Sequence, residues 1–128
     1  MTVNYIYAQR SAYEPLRVID SADIPANYDP TDPTVTGGAF GSPLAEIGRI
    51  VTFKNGTDGD VYISLNGIDD HEWIPAESFD KVDHTSNKAA APVGGFLGIP
   101  ANTQFWIRYG TAPTTGQVTL SIVYGSLK

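Results

Sequence analysis

The chain has 128 residues, eight Lys and Arg against fourteen Asp and Glu, a net charge of −6 and no cysteine. That length suits one domain with a real core and is short for two. The missing thiols exclude disulfides and cysteine-held zinc, and an acidic balance without a Lys/Arg cluster argues against a surface that tracks the phosphates of nucleic acid or anionic lipid.

No apolar run approaches the ~20 residues of a membrane-spanning helix. Met1-Thr2-Val3-Asn4-Tyr5 lacks the basic and apolar regions of a signal peptide. The expectation is a soluble protein made without Sec-type export, with neither nucleic acid nor membrane as a partner. Residues 1–45 hold five of the nine prolines and four of the seven tyrosines. Each proline fixes φ, removes an N–H donor and pushes the preceding residue out of the helical region, so the segment is predicted to be extended and irregular. Ile6, Gln9, Tyr13 and Leu16 keep an approximate helical spacing, but Pro15 limits any helix there to a short turn. Arg17-Val18-Ile19-Asp20 is a candidate short strand, and residues 22–41 are dominated by Pro, Asp, Thr and Gly.

Fully extended, such an arm would reach ~150 Å at ~3.3 Å per residue. The remaining chain would form a globule with a radius of gyration of only ~12 Å. A solvated linker would lack aromatics, yet this one carries Tyr5, Tyr7, Tyr13, Tyr28 and Phe40 besides its aliphatic residues. Those side chains call for a partner surface, either the body or neighbouring subunits. The domain organisation expected is therefore an N-terminal arm, 1–45, and a β-sandwich body, 46–128, with deletion of the arm leaving the body folded.

The body opens with Ile50–Lys54, turns through Asn55-Gly56-Thr57-Asp58-Gly59 and returns as Asp60–Asn66. Val61, Ile63 and Leu65 alternate with Tyr62, Ser64 and Asn66, the pattern of a half-buried strand. Gly admits positive φ, and Asn and Asp bond to nearby backbone, so the five residues between form a reversal. Trp73-Ile74 is a short apolar pair halted by Pro75. Residues 79–85 form a strand with Phe79 and Val82 expected to reach the core, and residues 86–95 a loop of small residues. Phe96–Ile99 is the next strand, followed by a Pro100–Thr103 turn. Phe105, Ile107 and Tyr109 alternate with Gln104, Trp106 and Arg108. After the 111–116 loop, Val118, Leu120, Ile122 and Tyr124 point inward from the last strand. Six or seven short strands with no amphipathic helix between them predict an all-β fold, an antiparallel β-sandwich or jelly roll with an extended N-terminal arm.

Chemistry is sparse. His71 and His84 are the only imidazoles, and neither a His-x-His nor a His-Glu-x-x-His spacing occurs, so the facial metal set of a jelly-roll oxygenase is not expected. Asp58-Gly59-Asp60 has the alternate spacing of a calcium loop but lacks the glycine-then-glutamate completion, and a solvated turn explains it. Pairing Glu72 with Glu77 or with an Asp as a glycosidase couple would need a sugar-sized cleft. No catalytic residue, metal site or cofactor is assigned. Trp106 is expected to point outward if Phe105 and Ile107 fill the core, its indole covered by the arm, by a subunit contact or by a sugar. The interface candidates are Tyr5, Tyr7, Tyr13, Tyr28, Phe40, Trp73 and Trp106.

From Gly48 to Gly125 the chain resembles a family of small virion proteins of tailed bacteriophages. The resemblance is carried by Arg49–Asn55 leading to Thr57–Gly67, by Asp70-His71-Glu72-Trp73-Ile74-Pro75-Ala76, by Ser86-Asn87-Lys88, by the Ile99–Thr103 turn and by the closing Gly116–Tyr124 strand. It implies a structural, non-enzymatic virion component made in the host cytoplasm, a homo-oligomer whose partner is the major capsid protein or another virion protein. A capsid decoration or cement protein is the leading expectation. A neck or tail adaptor and a carbohydrate-binding host-attachment module using Trp73 and Trp106 are the alternatives.

Overall fold

The computed structural model describes residues 11–83 and 98–125. They form an all-β sandwich of two antiparallel sheets. The larger sheet takes β3 (Gly48–Asn55), β6 (Ser78–Asp83) and β8 (Gln117–Gly125), and adds β1 (Ser11–Tyr13) and β2 (Arg17–Asp20) end to end along the outer edge of β8. The smaller sheet has the order β5 (Glu72–Ile74), β4 (Val61–Ser64), β7 (Trp106–Tyr109).

The alternation read from the sequence sets the packing of the central strands. Val118, Leu120, Ile122 and Tyr124 of β8 are buried, as are Val51 and Phe53 of β3, and they meet Val61, Ile63, Ile74 and Ile107 of the smaller sheet. Phe53 lies between Phe105, edge-on at 5.7 Å between ring centroids, and Phe40, tilted at 6.4 Å. Such aromatic pairs add ~0.5–1.5 kcal/mol beyond the area they bury.

The N-terminal segment is extended, with two single-turn 3₁₀ helices at Ser21–Asp23 and Val35–Gly37, but from Ser11 onward it lies along its own body. Ile19, Ile24, Phe40 and Leu44 sit in the core beside the strands of residues 46–125, so the 45/46 boundary falls inside one folded unit. Residues 38–48 run antiparallel to residues 99–107. The Ile107 N–H donates to the Gly38 carbonyl, the Phe40 N–H to Phe105, the Leu44 N–H to Thr103, and Gly48 exchanges both bonds with Ile99. This pairing covers the free edge of β7, which otherwise would present a row of open backbone groups. The expected helical turn around Tyr13 is instead β1.

Named residues fix the turns and the N-terminal segment in place. Asn55 and Thr57, both buried, form the hub of the β3–β4 turn: the Asn55 amide donates to the carbonyls of Gly59, Ile74 and Pro75, and its Oδ1 accepts from the Thr57 N–H and hydroxyl. Gly116, at φ +88°, is where an added Cβ would strike the Gly56 carbonyl, so the close approach of these two turns requires a glycine. Arg17 joins three segments by pairing with Glu14 and donating to the Phe40 carbonyl at 2.9 Å, while the Tyr124 hydroxyl bonds the same Glu14 carboxylate. Burial pushes the Glu14 carboxyl up, but the Arg17 and Tyr124 hydrogen bonds outweigh it and hold it below its ordinary value.

β6 departs from expectation. Phe79 and Val82 are three apart and so face opposite sides of a strand. Pairing of Val51 with Val82 puts Val82 inward, and the pairing of Lys54 with Phe79 leaves the Phe79 ring 68% exposed. His84, the 86–95 loop, Phe96 and Leu97 lie outside the described residues.

Candidate interaction surface

The seven interface candidates separate sharply. Tyr5 and Tyr7 lie outside the described residues. Phe40, with 2% exposure, is a core residue, so its place among the interface candidates is corrected. Trp106 is corrected too. It points outward as expected, yet it is only 6% exposed, because Ala39 bridges its backbone and the Gly67 turn lies against its indole together with Pro30. The cover came from the N-terminal segment and the β4–β5 loop, and the ring offers nothing for a sugar to stack on. Tyr28 is half-buried and engaged within the molecule. Tyr13 and Trp73 remain exposed.

Two surfaces collect the exposed apolar side chains. On the outer face of the larger sheet, cross-strand pairing places Val18, Thr119, Lys54 and Phe79 in one row and Tyr13, Val123, Ile50 and Asp83 in a second. Thr119 and Val123 are four residues apart on β8, which separates the rows by ~13 Å. Tyr13 and Phe79 occupy opposite strands at the margins of this face, with exposed Val18 completing the first row and Leu16 close by in sequence. Phe79 and Val18 were missed as surface residues from sequence. Val18 and Ile19 are adjacent in a strand, so one of them must face out, and that much was available.

The outer face of the smaller sheet carries Trp73, Tyr62 and Arg108 in a single cross-strand row. The Arg108 guanidinium stands 4.2 Å from the centroid of the Tyr62 ring and 5.8 Å from that of Tyr28. Its Nε and Nη2 donate to Asp70 at 3.0 and 2.6 Å, and the Tyr28 hydroxyl donates to the same carboxylate at 2.8 Å. Burial and the Asp70 carboxylate raise the Tyr28 hydroxyl strongly, whereas the Arg108 hydrogen bond holds Asp70 low. This cluster binds the N-terminal segment to the sheet. At the other end of the row, the Trp73 indole N–H donates to Asp60 Oδ2 at 2.8 Å, and Asp60 Oδ1 accepts the Thr111 N–H at 2.7 Å.

The acidic residues suspected of calcium binding are turn braces. Asp58 caps Thr114 and Thr115, whose donors hold its carboxyl at about 2, while Asp60 serves Thr111 and Trp73. Among the described residues no three His, Asp or Glu side chains converge as metal ligands. His71 closes the β4–β5 loop, its Nδ1 accepting the Leu65 N–H at 3.0 Å. A groove of about 320 Å³ lies beside β2, walled by Val18, Pro33, Val35, Ala39 and Phe40.

No family model, curated protein or solved structure matches the chain.

Proposed function

We propose that the chain is a structural component of a bacteriophage virion, a head decoration or cement protein that docks on the major capsid protein through the outer face of its larger sheet. The observation that carries this reading is the pair of rows holding Tyr13, Val18 and Phe79, large apolar groups displayed on a hydrogen-bonded sheet. Apolar side chains presented on a rigid frame lose little conformational entropy on docking, which favours permanent contact over passing encounter. The resemblance of residues 48–125 to small virion proteins points the same way. The mechanism is added contact area: each buried aromatic contributes ~2–3 kcal/mol, and lattice symmetry repeats that contribution at every copy. Homo-oligomerisation on the lattice belongs to the same proposal, and no catalysis is part of it.

The test is incorporation into virions. Purified particles should contain the chain in a copy number commensurate with the capsid lattice. Phe79→Ser combined with Tyr13→Ser should lower the affinity for capsids by at least ~30-fold while the melting transition of the free protein stays cooperative. A copy number set by a single ring would move the protein to the neck or tail as an adaptor. Absence from particles would overturn the virion assignment.

A further inference from the structure

The same outer face that binds Arg108 holds a second site of like composition. Arg108 is received by an aromatic ring, Tyr62, and a carboxylate, Asp70, and one strand over stand an aromatic ring, Trp73, and a carboxylate, Asp60. Among the described residues no Lys or Arg stacks on Trp73 or pairs with Asp60. We propose that the Trp73–Asp60 corner is a docking point for a cationic side chain, Lys or Arg, of a basic partner protein.

Four observations support it. The indole is 56% exposed, and its N–H is already committed to Asp60, so the ring is fixed in orientation and presents its faces alone. A cation over such a face is attracted by the ring quadrupole. Asp60 is oriented by the Thr111 N–H, and the Trp73 hydrogen bond, ahead of the smaller opposing effect of burial, keeps its carboxyl below the ordinary range and so charged at neutral pH. Finally, between Lys54 and Lys81 the chain carries no Lys or Arg, and of its seven carboxyl residues Asp70 is paired with Arg108 and Glu72 is pushed up beside Asp80, which leaves Asp58, Asp60, Asp69 and Glu77 outside either pair. The field there selects for a positive partner and repels the same patch on a second copy of this chain. A neutral sugar would gain from the ring but nothing from the field.

The experiment is an NMR titration of the full-length chain with an acetylated tetra-arginine amide, following the Trp73 indole N–H and the Thr111 amide. Saturable shifts centred on these two, weakened by salt, are expected. Asp60→Asn keeps an oxygen to accept the indole N–H and should weaken binding about fivefold. Glu46→Gln, an exposed charge on the loop leading into β3, should have a much smaller effect. Trp73→Leu should abolish the Thr111 shift, and Trp73→Phe should restore part of it. Equal weakening by Asp60→Asn and Glu46→Gln would reduce the effect to general charge attraction and overturn the proposal. So would shifts at Trp73 with maltotetraose but not with the peptide, which would make the ring a sugar platform, or no shift with either probe.

Discussion

Asn55 ties two segments of the chain together through one buried side chain. Its amide serves three carbonyls from two segments, the β3–β4 turn and the end of β5, in a site where it is 1% exposed. Backbone carbonyls buried without a donor cost ~1–3 kcal/mol each, so Asn55→Ala is expected to lower stability by ~2–4 kcal/mol, read as a shift of the urea midpoint at unchanged slope. Asn55→Asp keeps the volume and the acceptor for Thr57 but turns carboxylate oxygens toward those carbonyls, so its loss should be larger. Equal losses for the two would assign the effect to packing and remove the donor role. From sequence, Asn55 was a turn former beside a glycine. The turn was legible because Asn and Gly have local reasons to be there, and the hub was not, since Ile74 and Pro75 are nineteen and twenty residues away.

At the scale of elements, β5 and β6 meet through a pair of carboxyl groups. Glu72 shares a hydrogen bond with Asp80, and this bond, with burial and the Asp80 charge, pushes the Glu72 carboxyl from its ordinary 4.5 up to about 7. Among the described residues, Asp80 Oδ2 is the only buried side-chain polar atom without a hydrogen-bond partner. A folded-state value above the unfolded one means that the folded chain keeps a proton the unfolded chain releases. The stability this contributes is fully present below about pH 4.5 and is lost as pH rises through about 7. Melting temperature should therefore fall across that window and level off above it, and Glu72→Gln, which can still donate to Asp80, should flatten that part of the profile. An unchanged slope in the variant would show that Glu72 is not the group that keeps this proton. The carboxyl pair exists because β6 took the register that turns Asp80 and Val82 inward. The Ser78–Asp83 pattern holds only two apolar residues at a spacing of three, so period alone could not choose between Phe79 and Val82. Where a strand carries four alternating apolar residues, as β8 does, sequence and structure agree on every inward position; in β4 Val61 and Ile63 are buried as expected, but Ser64, expected on the outer face, is buried too, and Leu65 lies past the end of the strand and is only partly buried.

For the whole molecule, the decisive question is what residues 17–45 do. Their apolar surplus was legible, and so was its need for a partner surface, but composition cannot say whether that surface belongs to the same chain. The partner is the body itself: Ile19, Ile24, Phe40 and Leu44 are all at most 4% exposed. Four such side chains contribute ~1.5–3 kcal/mol each, ~6–12 kcal/mol together. That matches the entire net stability of ~5–15 kcal/mol typical of a domain. Deleting residues 2–45 should therefore leave a chain without a cooperative melt by circular dichroism. Deleting residues 2–16 removes β1 and the Glu14 partner of Arg17 but spares β2 and these core side chains, so that protein should fold, with a lowered melting temperature. Tyr13 and Leu16 go with it, and the virion proposal then requires weaker capsid association from a folded protein. A cooperative melt after deletion of 2–45 would mean that the two sheets close without Phe40 and Leu44 and would restore a division between arm and body. Should both truncations fold and both still associate with capsids, the docking face would have to be sought at Phe79 and the far margin of the larger sheet, away from β1.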